Sequence, residues 1–150
     1  MNSRRFFRKL PLVASTLPLV ELRTVRECYK SSFVEPNPRI FAKGYIPGKS
    51  DAIASVNYGV SPLQNRIYVE EIKVELPYRG RGYARSILLL IVQNYPGERG
   101  LMPITPMDEW ETAESFWQEL REGTVPGLEV TMQINGGGER KLEQQRWRLA

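Results

Sequence analysis

The chain has 150 residues, 41% apolar and 25% charged, the balance of an ordinary globular domain with enough bulk to bury a core, so disorder and membrane spanning are not expected. With no histidine and a single cysteine, Cys28, it has no route to an intramolecular disulfide, a zinc-type cluster, or a Ser-His-Asp or Cys-His arrangement. Its 21 basic and 17 acidic residues leave +4, a mild excess that reads as a solvated surface, so neither a nucleic-acid nor a membrane partner is expected.

The amino terminus carries Arg4-Arg5 ahead of an apolar run from Leu10 to Val20, which resembles a twin-arginine export signal. No small-x-small cleavage site follows and prolines interrupt the run, so the segment is read as a first strand entering a helix, and the protein as cytoplasmic. From Thr16, a cap before Pro18, the apolar set Leu22, Val25, Tyr29 and Phe33 steps by three and four. That spacing predicts one face of an amphipathic helix, ended by Pro36 and Pro38. Ile40, Ala42, Gly44 and Ile46 then alternate with polar neighbours up to the Pro47-Gly48 turn, and Ala52 to Val60 alternates as the next strand. A further strand begins at Arg66, which makes three successive strands with short turns, an antiparallel meander.

In this last strand Ile67 and Val69 fall on odd positions, whereas Ile72 and Val74 fall on even ones. The period therefore slips across Glu70-Glu71. A strand changes its buried face only by adding a residue, so the slip implies a β-bulge, or else a strand buried on both faces, where parity carries no information.

After the strand comes Pro77-Tyr-Arg-Gly-Arg-Gly82, and then the run Arg85-Ser-Ile-Leu-Leu-Leu-Ile-Val-Gln93, apolar enough to predict a buried helix. A glycine-bearing loop that enters a helix presents unpaired N–H groups at the positive end of the helix dipole, where phosphate binds. Gly80 and Gly82 permit close backbone approach, and Arg79 and Arg81 add charge. The dinucleotide fingerprint is excluded because its third glycine is Arg85. A P-loop is excluded because the glycine it needs five residues before Gly48-Lys49 is Lys43.

Further along, Pro96-Gly97 ends the helix, and Leu101 to Thr105 reads as a short strand that prolines leave unpaired on at least one side. Asp108 and Glu111 form an acidic capping box for a second helix with an apolar face of Ala113, Phe116, Trp117 and Leu120 and a stop at Gly123. Leu128, Val130, Met132 and Ile134 alternate as a strand, and Arg146 to Leu149 returns as the last. No linker divides residues 1–150, which are read as one domain.

Arg79-x-x-Gly82-x-Ala84, five residues after Val74, closely resembles the Arg/Gln-x-x-Gly-x-Gly/Ala motif of the GNAT superfamily of N-acetyltransferases. The element order agrees across nearly the whole chain, and Ala113-x-x-Phe116-Trp117 resembles that family's second motif. The resemblance implies an α+β fold with a mixed, mostly antiparallel central sheet of about seven strands, flanked by helices, whose fourth and fifth strands splay apart. It implies acetyl-coenzyme A as cosubstrate, with no metal, and direct acetyl transfer to an amine of a small molecule or protein. Backbone groups of Arg79, Gly80, Arg81, Gly82, Tyr83 and Ala84 would hold the pyrophosphate; the arginine side chains either assist or face solvent. The stretch from Ile72 to Val74 would supply the strand edge for the pantetheine arm and the oxyanion donor.

Glu70 is the candidate base, turned inward by the bulge, with an exposed glutamate of no role as the alternative reading. Trp117 stands where the family has a catalytic tyrosine and Trp110 where it has an asparagine, so the general acid is unassigned, with Tyr83 and Tyr68 as distant substitutes. Phe116, Trp117 and Trp110 are assigned to packing. A non-catalytic acyl-coenzyme A sensor of the same fold is the alternative function. A third reading, nucleic-acid binding or modification of tRNA-linked amines, rests on the +4 charge and the arginine-rich amino terminus and is the less expected. A homodimer is left open.

Overall fold

Alternation between Arg39 and Val74 becomes sheet as its period requires. In a computed structural model, which describes residues 5–6, 17–29, 39–107 and 114–133, β3 (Arg39–Tyr45), β4 (Ala52–Val60) and β5 (Ile67–Val74) form the expected antiparallel meander. Ahead of them lie β1 (Arg5–Phe6) and β2 (Glu21–Cys28), each antiparallel to the next strand in sequence. The fold is α+β, with a mixed, mostly antiparallel sheet ordered β1-β2-β3-β4-β5-β8, the last strand being Ile104–Pro106. A seventh strand of this sheet is not present among the described residues.

β2 replaces the amphipathic helix expected from Thr16 onward. Val20, Leu22 and Thr24 are buried at alternate positions, the period of a strand. The ladder then slips between Thr24 and Arg26, leaving Val25 as the extra residue. A strand with one inserted residue produces an apolar spacing of three, which the sequence pattern presents as helical. Val25 and Tyr29, assigned to the helix core, are 49% and 63% exposed. Phe33, Pro36 and Pro38 lie outside the described residues.

Helix α1 (Tyr83–Asn94) has every residue from Ser86 to Val92 buried. Those from Ile87 onward share one core cluster with Val56, Tyr58, Ile67 and Val69 of the sheet and with Trp117 and Leu120 of α2 (Glu114–Arg121). Ala84, in the first turn, is half-buried. The Ser86 hydroxyl donates to the Pro18 carbonyl at 2.6 Å, which ties the segment before β2 beneath the start of the helix. Arg85 of α1 and Glu119 of α2 pair at 2.7 Å, with the Arg85 guanidinium also over the Phe116 ring. Both described helices thus share one face of the sheet.

Leu101 does not begin the next core strand. It belongs to a small hairpin, β6 (Pro96–Gly97) with β7 (Gly100–Leu101), and the strand parallel to β5 is β8 (Ile104–Pro106). The side expected to stay unpaired is filled at Ile104, whose N–H donates to Glu129 C=O and whose C=O accepts from Thr131 N–H, both at 2.8 Å. Of the strand expected from Leu128, the described part contributes a single parallel bridge, Val130 opposite Ile104. α2 stops as expected, with Gly123 N–H donating to Leu120 C=O. The capping box at Asp108 and Glu111, Trp110, Ala113, and the return strand from Arg146 to Leu149 lie outside the described residues.

Candidate functional site at an open strand edge

The bulge inferred from parity is present. Val69 stands opposite Tyr58 and Glu71 opposite Asn57, so Glu70 is the inserted residue. Before it, β5 is bonded on both sides: Ile67 N–H donates to Pro103 C=O and Val69 C=O accepts from Met107 N–H, both at 2.9 Å. The β5–β8 pairing ends at Val69 with Pro106. After the bulge, Glu75 N–H donates to Ile53 C=O at 2.8 Å. Counting back by the two-residue period, Glu71 and Lys73 also turn their backbone groups toward β4, so those of Ile72 and Val74 turn outward. Val74 C=O accepts from Arg79 Nε at 2.7 Å. The outward groups of Ile72 have no strand beside them among the described residues.

The chain leaves β5 through a 3₁₀ turn at Leu76–Tyr78 and reaches α1 through Gly80 and Gly82, both left-handed, at φ of 75° and 90°. The two glycines serve different ends. A Cβ on Gly82 would stand 3.1 Å from Pro18 Cδ and 3.3 Å from Leu17 Cδ2, so the loop is packed hard against the segment tied by Ser86. A Cβ on Gly80 would meet nothing within 4 Å. Gly82 caps α1 without any side-chain hydrogen bond, and Ser86 N–H, bonded to Gly82 C=O, makes the first bond of the helix. The N–H groups of Tyr83, Ala84 and Arg85 therefore have no partner within the helix.

Open edge and helix start face one groove of about 500 Å³. It is bounded by β5 from Val69 to Val74, by the loop and first turn of α1, and by Pro106, Met107, Phe116 and Trp117 on the far wall. Ile72, Val74, Arg79, Gly80, Gly82, Tyr83, Ala84 and Glu70, all singled out from the sequence, border it; Arg81 does not. Phe116 and Trp117, assigned to packing alone, form part of its wall while Trp117 also joins the core. Tyr68 is buried against Met107 and does not reach the groove. Met107 was missed, and the side chain of Tyr78 was given no role. Tyr78 stacks edge-on against Tyr83 at 6.2 Å between centroids, and only its place in the glycine loop could have drawn attention to it.

Glu70 is not a free carboxylate. Its Oε1 accepts from Arg39 of β3 and its Oε2 from Asn57 of β4 at 3.1 Å, so one side chain laces three strands together at the bulge. Glu71 also borders the groove and is exposed. Among the described residues no cluster of side chains suits a metal ion, and no helix is long and apolar enough to cross a membrane. Comparison with family models, with curated proteins and with solved structures returns no match for this chain.

Proposed function

We propose that the chain is an acetyl-coenzyme A-dependent N-acetyltransferase of GNAT type. The observation that carries the reading is the meeting, in one groove, of a β-strand edge opened by a bulge and a helix N-terminus with unpaired N–H groups. A diphosphate needs the second, and an amide-bearing arm that adds to a sheet needs the first. The residues present fit both demands. The N–H groups from Tyr83 to Arg85 would hold the diphosphate, with Arg79 at the loop's rim. The outward groups of Ile72 and the Val74 N–H would pair with the arm, where β5 runs on beyond its pairing with the three-residue β8.

In the reaction, an uncharged amine attacks the thioester carbonyl, the C–S bond breaks, and the thiolate leaves with a proton. A backbone N–H between Ile72 and Val74 would stabilise the oxyanion. Glu70, whose oxygens accept from Arg39 and Asn57 but each keep a further lone pair, would take the amine's proton, with Glu71 on the same rim as the alternative acceptor. Tyr78 and Tyr83 border the groove and carry the O–H groups able to protonate the thiolate, a task closed to the Trp117 indole.

A second reading, an acyl-coenzyme A sensor without turnover, is favoured by two observations: the engaged Glu70 and the indole in the groove wall. Both readings share a test of the site. Acetyl-coenzyme A should raise the melting temperature, since ligand binding to the native state stabilises it. Gly80→Asp, which places a carboxylate in the cradle with no neighbour to displace, should remove the rise, and Gly80→Asn should keep it. A rise that survives Gly80→Asp overturns the placement. Coenzyme A release with a panel of amines then decides between the two, because binding without release across the panel leaves the sensor.

A further inference from the structure

The face of the sheet opposite α1 and α2 is lined by cations. Cross-strand partners share a face, so the registers Arg23–Lys43–Ser55–Lys73 and Arg26–Phe41–Asn57–Glu71 are two adjacent rows across β2 to β5 on that side. Arg39 lies on the same face, two residues before Phe41. Two of its carboxylates are taken: Glu21 pairs with Arg23 at 3.1 Å and Glu70 with Arg39. Glu71 remains, as does Glu75 two residues beyond Lys73, at the end of the row. Arg26, Lys43 and Lys73 are exposed and have no ion-pair partner among the described residues.

In the middle of these charges stands Phe41, half-exposed and outside both core clusters. It has Arg26 and Asn57 across the strands, and Arg39 and Lys43 on either side along its own. Tyr45, two residues beyond Lys43 and also half-exposed, has the Arg23 guanidinium 4.2 Å from its ring centroid.

We propose that this face binds single-stranded nucleic acid, with phosphates on Arg26, Lys43 and Lys73 and a base stacked on Phe41. A sheet face with aromatic rings between cations suits unpaired bases, each of which has a π-face to stack, whereas a purely acidic peptide has no use for the ring. The inference is separable from acyl transfer because Phe41, Arg26 and Lys43 lie outside the groove, although Lys73 and Glu71 also border it.

The test is fluorescence anisotropy of a labelled oligouridylate with the full chain. Three phosphate contacts on a single strand give a salt slope near −2, so affinity should fall roughly 20-fold between about 50 and about 200 mM salt. Arg26→Gln with Lys43→Gln should reduce that slope by about 1.4. Phe41→Leu should weaken binding by roughly tenfold or more. Gly80→Asp should leave all of this unchanged while removing the acetyl-coenzyme A response, so failure here and failure of the transferase reading are distinguishable. Absent or salt-insensitive binding overturns the proposal. So does polyglutamate of equal charge binding as tightly with Phe41→Leu without effect, which would make the face a dock for acidic protein segments.

Discussion

The two halves of β5 share a strand and differ in almost everything else. From Ile67 to Val69 every residue is buried and the backbone is bonded on both sides; from Glu70 to Val74 none is fully buried and one edge is open. One inserted residue separates them. It keeps apolar side chains toward α1, first Ile67 and Val69 and then Ile72 and Val74, and it gives the open edge the backbone of Ile72 and Val74 rather than that of Glu71 and Lys73. A sheet can thus be a core element at one end and a binding surface at the other without ending the strand.

Merging the two halves should have the largest effect. Deleting Glu70 restores uninterrupted alternation, frees Arg39, and should abolish the acetyl-coenzyme A melting shift while far-ultraviolet circular dichroism still reports a sheet; a retained shift means that the bulge does not shape the edge. Next comes the core half itself. Ile67→Ala should cost about 2–5 kcal/mol in urea unfolding, and Ile72→Ala less than half of that. Equal costs would show that the far half is held as tightly as the near one.

At the loop, Gly82→Ala should cost about 2 kcal/mol, since left-handed strain adds to the contact with Pro18, against about 1 kcal/mol for Gly80→Ala, where strain acts alone. Equal losses would mean that Leu17 and Pro18 do not back the loop. The smallest effect belongs to Arg79→Ala. It releases the Val74 carbonyl at an exposed site and should change stability by no more than about 0.5 kcal/mol, so a larger loss would make Arg79 a structural brace for the edge.

Much of this architecture was legible in residue order, because side-chain period in a strand reports burial directly. The meander from Arg39 to Val74 and the bulge at Glu70 follow from alternation and its slip across Glu70-Glu71, and the buried helix after Gly82 from an unbroken apolar run, whereas the slip at Ile53 between β3 and β4 was not read. β2 was not legible for the same reason: its own bulge at Val25 converted a period of two into a spacing of three, and the local pattern fits a helix until the partner strand is known. Phe116 and Trp117 read as packing because an apolar helix face looks alike whether it closes a core or walls a groove.

Glu70 could be found by parity, but its engagement by Arg39 and Asn57 could not, since those residues are distant in sequence and meet only across the ladder. The cations make the same point. A net charge of +4 says little when averaged over the whole surface, but the registers between β2 and β5 set Arg26, Lys43 and Lys73 on one face around Phe41.

By itself, then, the order of residues determined where the chain must bend, alternate and bury itself, because steric freedom at glycine and the transfer of apolar groups from water act locally. Which carboxylate is occupied, which strand edge stays open and where the charges gather were decided only by pairing between distant strands. Those are properties of neighbours, and neighbours are chosen by the tertiary fold.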